Sequence, residues 1–262
     1  VAGGNNSSEV RVHMGGRLGV GPYPKLGQLQ QEFCPVREGN AQPAAYYEDQ
    51  KKMQWLQQEH GVSLFMGVHA DGVTMDGTRI ESITARNVLS GERLRFRAQL
   101  FADCTGDATI GYLAGADWRM GRESRSEYGE SRAPERADSM TMGASVQWYA
   151  AESKSRERFP LFEYGVVLND STAERVLKGE WTWETGMNRN QITEAERIRD
   201  YGLMVVYSNW SYLKNRLPER RDYANYRLDW VAYVAGKRES RRLLGDYVLK
   251  EDDLVRHMTH ED

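Results

Sequence analysis

The spacing of apolar residues changes period several times along the chain. Over residues 43–60, Met53 and Leu56 share a face with Trp55 beside them, Pro43 suits a first helical position and Gly61 a stop, which predicts a helix. Val62, Leu64, Met66 and Val68 then alternate with other residues, the period of a strand. Alternation continues from Val73 to Ala98 around two turn signals, Asp76-Gly77 and Ser90-Gly91, and predicts a β-meander. Leu100-Phe101-Ala102 is an apolar run too short for a helix and closed by a turn, so residues 100–104 read as a buried strand. Ile110, Leu113 and Ala114 lie on one side of a short helix over 108–114, with Asp107 as its expected cap and Gly115 as its end.

The second half mixes both periods. Residues 141–149, 159–168 and 181–183 read as strands. Residues 193–213 read as a helix whose apolar face is Ile198, Leu203, Val206 and Leu213, opened by a Thr193–Glu196 capping box. Leu228, Val231 and Ala235 predict a second helix over 226–235, residues 243–249 a strand, and Glu251-Asp252-Asp253 the start of a last helix. The first 27 residues are loop-like, with glycine at 3, 4, 15, 16, 19, 21 and 27 and proline at 22 and 24. No internal repeat or low-complexity stretch is present.

Composition removes several function classes. The chain has 262 residues, 35 basic against 38 acidic, and a net charge of -3, which gives no electrostatic case for nucleic acid. No apolar run approaches membrane-spanning length. Cys34 and Cys104 cannot make a disulfide scaffold, and Cys104 reads as a small core residue. The five histidines, at 13, 60, 69, 257 and 260, show no metal-ligand spacing, and neither a Gly-x-Ser-x-Gly elbow nor a Walker loop occurs. Val1 is not an initiator methionine and no signal peptide is visible, so a cut N-terminus is expected and cytoplasmic and periplasmic locations both stay open. Residues 118–138, rich in arginine and glutamate, read either as a solvated loop or as a wall for an anionic substrate.

The strand, turn and helix over 100–116 make a place where backbone N–H groups can meet an anion, with Gly106 allowing close approach. Ala102-Asp103-Cys104-Thr105-Gly106-Asp107, followed by Leu113-Ala114-Gly115-Ala116, resembles the Thr-Gly-Asp segment of FAD-dependent oxidoreductases with a two-dinucleotide-type FAD fold. The resemblance is to a bacterial group, some of whose members are labelled xanthan lyase. Gly3-Gly4-Asn5-Asn6-Ser7-Ser8-Glu9, Trp183-Glu184-Thr185-Gly186 and Gly236-Lys237-Arg238-Glu239-Ser240-Arg241-Arg242 are similar to further stretches of that group, so the likeness spans almost the whole chain.

That resemblance implies an α/β, FAD/NAD(P)-binding (Rossmann-like) flavoprotein fold with a β-meander and an inserted, mainly antiparallel substrate domain. It divides the chain into 1–117, part of the FAD-binding domain; 118–217, a substrate or cap domain; and 218–262, a return to the first. It implies FAD as cofactor, touched by Gly3, Gly4, Asn5, Asn6, Ser7 and Ser8, by Gly67 and Val68 at a strand end near the adenine, and by Thr105, Gly106 and Asp107. No Gly-x-Gly-x-x-Gly occurs, so that pyrophosphate fingerprint is expected upstream of Val1 and the family's last nucleotide-binding strand beyond Asp262.

The implied activity is hydride or electron transfer between flavin and a small substrate, which the group's label suggests is carbohydrate-related. A polysaccharide lyase or other carbohydrate-processing protein, and a non-catalytic fragment or binding module, remain as alternatives. Glu9, Arg11 and His13 are candidate catalytic groups near the expected flavin, with ordinary loop polarity the weightier reading of each. Glu184 is a candidate on the substrate side. Arg238 and Arg241 are candidates to clamp a substrate carboxylate, against an ion-pair network around Glu239. The expected partner is a small molecule, without nucleic acid or a membrane span, and the oligomeric state is open.

Overall fold

The structure is a computed structural model and describes residues 2–15, 21, 25–33 and 39–260. Gly16, Gly19, Pro22, Pro24 and Cys34 lie outside the described residues. In chain order the helices are α1 Lys25–Phe33, α2 Asp49–Gln58, α3 Thr109–Leu113, α4 Arg125–Tyr128, α5 Ala195–Asn215 and α6 Glu251–Val255. The strands are β1 Val68–Asp76, β2 Arg79–Asn87, β3 Arg93–Phe96, β4 Trp118–Arg119, β5 Ala144–Ser145, β6 Trp148–Glu152, β7 Lys178–Gly179, β8 Tyr226–Val231, β9 Gly236–Lys237 and β10 Arg242–Leu243. Every strand pair among the described residues is antiparallel. Two compact units form, one from Val1–Ser63, Met142–Met187 and Thr193–Arg238, the other from Leu64–Thr141, Asn188–Ile192 and Glu239–Asp262.

The first unit is organised by α5. Val206, Trp210 and Leu213, spaced by four and three, put one stripe of the helix into the core with Leu217, against Val146, Trp148 and Ala232. The sheet beneath runs β7-β6-β8, and β6 pairs Trp148 with Val231 and Glu152 with Tyr226. A Cβ on Gly179 would come 1.8 Å from Trp148 Nε1, so only glycine fits where β7 crosses that indole. The other buried flank of α5 is polar and acts on an irregular stretch, 159–176. Ser211 Oγ accepts from Phe162 N–H (2.8 Å), Ser208 Oγ from Val166 N–H (2.9 Å), and the Asn209 amide takes Glu174 N–H (2.9 Å) and donates to Glu174 C=O (3.0 Å).

Several expectations change in this unit. Residues 226–231 form strand β8, not a helix: Tyr226, Leu228 and Trp230 also alternate, and pairing with β6 decides between the two periods. Residues 159–168 and 181–183 form no strand, because the first is held by side chains of α5. Glu194, not Thr193, stands at the N-cap of α5. The helix expected over 43–60 exists in two pieces, a 3-10 turn Ala44–Tyr47 and α2, broken at Glu48 with φ 49°. Helix α1 falls partly in the stretch read as loop.

In the second unit the meander β1-β2-β3 forms as expected, with Gly77 (φ 59°) and Gly91 (φ 76°) supplying its turns. The separate strand expected along Val62, Leu64, Met66 and Val68 does not form: β1 begins only at Val68 and belongs to the meander, and Phe65 packs edge-on to Phe96 at 4.9 Å. Residues 100–104 form no strand, Leu100 is 90% exposed and Cys104 is exposed rather than core. A buried strand needs neighbours to take its N–H and C=O groups, and among the described residues none pairs with 100–104. Helix α3 does form and ends as expected. Gly115 (φ 79°) donates to Tyr112 C=O (3.1 Å) and Ala116 to Gly111 C=O (3.0 Å), the paired bonds of a left-handed glycine stop. Of the strand expected over 243–249 only Leu243 is in one, at the end of β10, which pairs with β4. The charged loop after β4 is laced by ion pairs, Arg119 with Glu127, Arg122 with Asp138 and Arg242 with both Glu123 and Glu239.

Candidate cofactor and proton-transfer site

The loop at the start of the first unit is shaped by a glycine and pinned by α2. A Cβ on Gly3 (φ 124°) would come 2.2 Å from Asn6 C=O, so glycine alone permits the turn in which Asn6 N–H donates to Gly3 C=O (2.8 Å). The chain then doubles back: Val12 N–H donates to Asn5 C=O (3.0 Å), and Asn6 Nδ2 to Val12 C=O (2.8 Å). Ser7 Oγ donates to Gly4 C=O (2.7 Å), and Asn5 Nδ2 to Lys237 C=O (2.9 Å). From α2, Asp49 accepts Ser8 N–H (3.1 Å to Oδ2), and Lys52 Nζ donates to Asn6 C=O (2.6 Å) and Asn6 Oδ1 (2.7 Å).

Lys52 is the unusual member. It is 1% exposed, and among the described residues no carboxylate lies within ion-pair distance of it. An ammonium carries three donors, and both acceptors it meets are neutral. A buried cation in that state is costly unless an anion comes to it.

The candidate catalytic groups of this loop have different surroundings. Glu9 is exposed, its backbone N–H donating to Ser7 Oγ (3.3 Å). Arg11 is 7% exposed with a left-handed backbone (φ 65°). Its guanidinium donates to Ser8 C=O (2.8 Å) and Gln42 C=O (3.1 Å) and lies 3.7 Å over the Trp230 ring. Burial lowers its pKa, and its contacts are those of a group holding the loop. His13 meets Asn40 twice: its backbone N–H donates to Asn40 Oδ1 (2.9 Å), and its Nδ1 lies 2.8 Å from the same oxygen. Asn40 Nδ2 in turn donates to Glu180 Oε2 (3.1 Å). Glu184 forms an ion pair with Arg238, whose guanidinium sits 5.4 Å from the Trp181 centroid.

The remaining candidates belong to the second unit. Gly67 (φ 68°) precedes β1 and Val68 begins it, so both stand at the start of a meander strand. Asp103, Thr105 and α3 form one hydrogen-bonded turn. Asp103 Oδ1 accepts Thr105 N–H (3.0 Å) and Oγ–H (2.7 Å), Asp103 Oδ2 accepts Gly111 N–H (3.0 Å), and Thr105 Oγ1 accepts Thr109 N–H (2.9 Å). Thr105 and Asp103 therefore satisfy the helix start, not Asp107, and donors expected to face an anion are used inside the turn. Asp107 Oδ1 accepts from Ser240 Oγ (2.6 Å). Arg241 donates to Asp107 C=O (3.0 Å) and stacks 3.9 Å from the Tyr112 centroid. Gly106 (φ 78°) has nothing within 4 Å of where a Cβ would stand, so its backbone is open.

Partial burial alone would raise the Asp103 carboxyl, but hydrogen bonds from Gly111, Thr105 and Ile110 outweigh it and hold the pKa below the ordinary range. Its contribution to stability is therefore full above the unfolded value, about 4, and is lost as pH falls through the lower folded value. Asp103→Ala should cost about 1 kcal/mol at neutral pH, the scale of a lost helix-start bond to a partly exposed group. Denaturation of both proteins from pH 7 to pH 2 should show that gap closing only below about pH 4. A gap that widens on acidification would contradict the assignment.

Sequence reasoning reached His13 but missed Asn40, Glu180 and Lys52. Among the described residues no cluster of His, Cys, Asp and Glu could hold a metal, and no helix is long and apolar enough to cross a membrane. A family model described as FAD dependent oxidoreductase matches residues 49–262. No curated protein and no solved structure matches the chain.

Proposed function

Because the chain belongs to the FAD-dependent oxidoreductase family, we propose that it oxidises a small hydroxylated, carbohydrate-like substrate and that its loop over residues 3–8 lies against the cofactor. The family makes it an FAD-dependent oxidoreductase enzyme with an FAD-binding, Rossmann-like fold. Bound FAD supplies the acceptor for two electrons and a hydrogen. The observation that carries the placement is Lys52, a buried cation with neutral partners at the turn built by Gly3 and Asn6. A diphosphate is the dianion that such a group fits. Gly4 (φ 52°) supports the same reading, since nothing lies within 4 Å of where its Cβ would stand. The residues present therefore fit the cofactor.

Within this reading Gly3, Gly4, Asn5, Asn6, Ser7 and Ser8 contact FAD, as do Gly67, Val68, Thr105, Gly106 and Asp107, where the open backbone of Gly106 is the support. His13 is the candidate proton acceptor. Arg11 braces the loop. Glu184 and Arg238 neutralise one another and shape a wall rather than offer a free charge, and Arg241 is held by the Asp107 carbonyl and the Tyr112 ring. Residues 118–217 are proposed as the substrate-side segment between two parts of the FAD-binding domain.

The test is spectroscopic. The natural full-length protein should purify with, or take up, FAD and show the flavin band in the visible. Anaerobic addition of glucose, mannitol or glycerol should bleach that band. No flavin binding by the full-length protein would overturn the placement of FAD on this loop. Stable FAD with no bleaching by any of these compounds would overturn the substrate class alone.

A further inference from the structure

The hydrogen bonds joining Glu180, Asn40 and His13 have only one chemically consistent direction. Asn40 Nδ2 lies 3.1 Å from Glu180 Oε2, and a carboxylate accepts without donating. The amide therefore turns its NH2 toward Glu180 and its carbonyl Oδ1 away. That oxygen takes the His13 backbone N–H at 2.9 Å and faces His13 Nδ1 at 2.8 Å. Oδ1 has no proton to give, so Nδ1 carries one. In the neutral ring the lone pair then belongs to Nε2.

The arrangement is built rather than incidental. Asn40 is 3% exposed, 27 residues from His13 and 140 from Glu180 in sequence, so three separate stretches of chain converge on the ring. Among the described residues Nε2 has no hydrogen-bond partner. The ring is also tied to the loop over residues 3–8: Val12, its chain neighbour, accepts from Asn6 Nδ2 and donates to Asn5 C=O. A base whose second nitrogen is oriented by a third group is the pattern that prepares an imidazole for proton transfer.

We propose that Asn40 and Glu180 are positioning residues that hold His13 in the Nδ1–H tautomer, so that Nε2 accepts the hydroxyl proton of the substrate. The tautomer stands on this geometry alone; the proton-transfer role rests on the proposed oxidation of a hydroxylated substrate. In that step the substrate O–H bond breaks and its proton forms an N–H bond on Nε2, giving the imidazolium. The carbon–oxygen double bond forms as the adjacent C–H pair leaves as hydride to FAD, and the imidazolium later returns its proton to water.

Two measurements on the full-length protein test this, the first made with and without FAD and the second with FAD bound. With 15N-labelled histidine, two-bond 15N–1H correlation spectra report which nitrogen of His13 is protonated. The expected spectrum shows protonated Nδ1 and bare Nε2, and Asn40→Leu or Glu180→Gln should shift it toward protonated Nε2. A protonated Nε2 in the unaltered protein, or an unmoved signature in whichever variant folds, would overturn the positioning role. Rates of flavin reduction by glucose, mannitol or glycerol supply the second readout. His13→Gln should lower the rate about 10²- to 10⁴-fold, and Glu180→Gln should lower kcat about tenfold with little change in KM. A His13→Gln protein that keeps FAD and reduces it at the normal rate would overturn the proton-acceptor role while leaving the flavoprotein reading intact. Failure of the unaltered protein to hold FAD would overturn that reading and leave the tautomer result standing.

Discussion

Trp210→Ala should cost the first unit about 3–5 kcal/mol, a large share of the 5–15 kcal/mol that usually holds a domain folded. Trp210 is fully buried, its ring 5.7 Å from that of Trp148 and 6.3 Å from that of Tyr223. The indole nitrogens of Trp210 and Trp148 are both buried without a hydrogen-bond partner among the described residues. Shape and dispersion therefore hold the two rings, and truncation leaves a cavity that α5 and the sheet cannot close. In urea the midpoint should fall with the slope unchanged. A loss below about 1 kcal/mol would mean that the core collapses onto the gap, contrary to the close packing described.

Lys52→Met should weaken FAD binding about 10- to 100-fold, or roughly 1.4–2.8 kcal/mol, without lowering the stability of the protein free of FAD. The two readouts separate here because Lys52 is buried with neutral acceptors. Removing a buried charge that has no counter-charge relieves desolvation, and a methionine of similar length fills the space. If the lysine serves only to staple Asn6, the outcome reverses: stability falls and affinity holds. Fluorescence titration with FAD and urea denaturation of the same two proteins decide between them.

Much of the fold was legible because local chemistry dictated it. Gly77 and Gly91 turn the meander and Gly115 ends α3 through positive φ values that other residues resist. Ile198, Val206 and Leu213, eight and seven residues apart and so on one helical face, announced α5. Where two periods overlap, as in residues 226–231, only the partner strand β6 decides, and that partner is not local. Residues 100–104 show the opposite failure. Their apolarity suits a strand, but a strand is a property of its neighbours. At the site His13 was visible as a polar residue near a glycine-rich loop, whereas Asn40 and Glu180 gain meaning only by converging on it. Lys52 was hidden for another reason: a lysine inside a helix reads as solvent-facing, and only its 1% exposure reveals that it is not.

The polar flank of α5 has a consequence for how this protein could change. Ser208, Asn209 and Ser211 grip the 159–176 stretch through main-chain atoms alone: the N–H groups of Phe162, Val166 and Glu174 and the carbonyls of Pro160 and Glu174. Every residue type except proline offers the same amide, so the grip does not depend on most of the side chains displayed. Tyr164 (83% exposed) and Val167 (90% exposed) project from the stretch without bearing its anchorage. Gly165 is the exception, since a Cβ there would come 1.9 Å from Ser208 Oγ. The helix thus serves as a fixed jig for an interchangeable surface, on which new side chains can be tried while the path of the backbone is preserved.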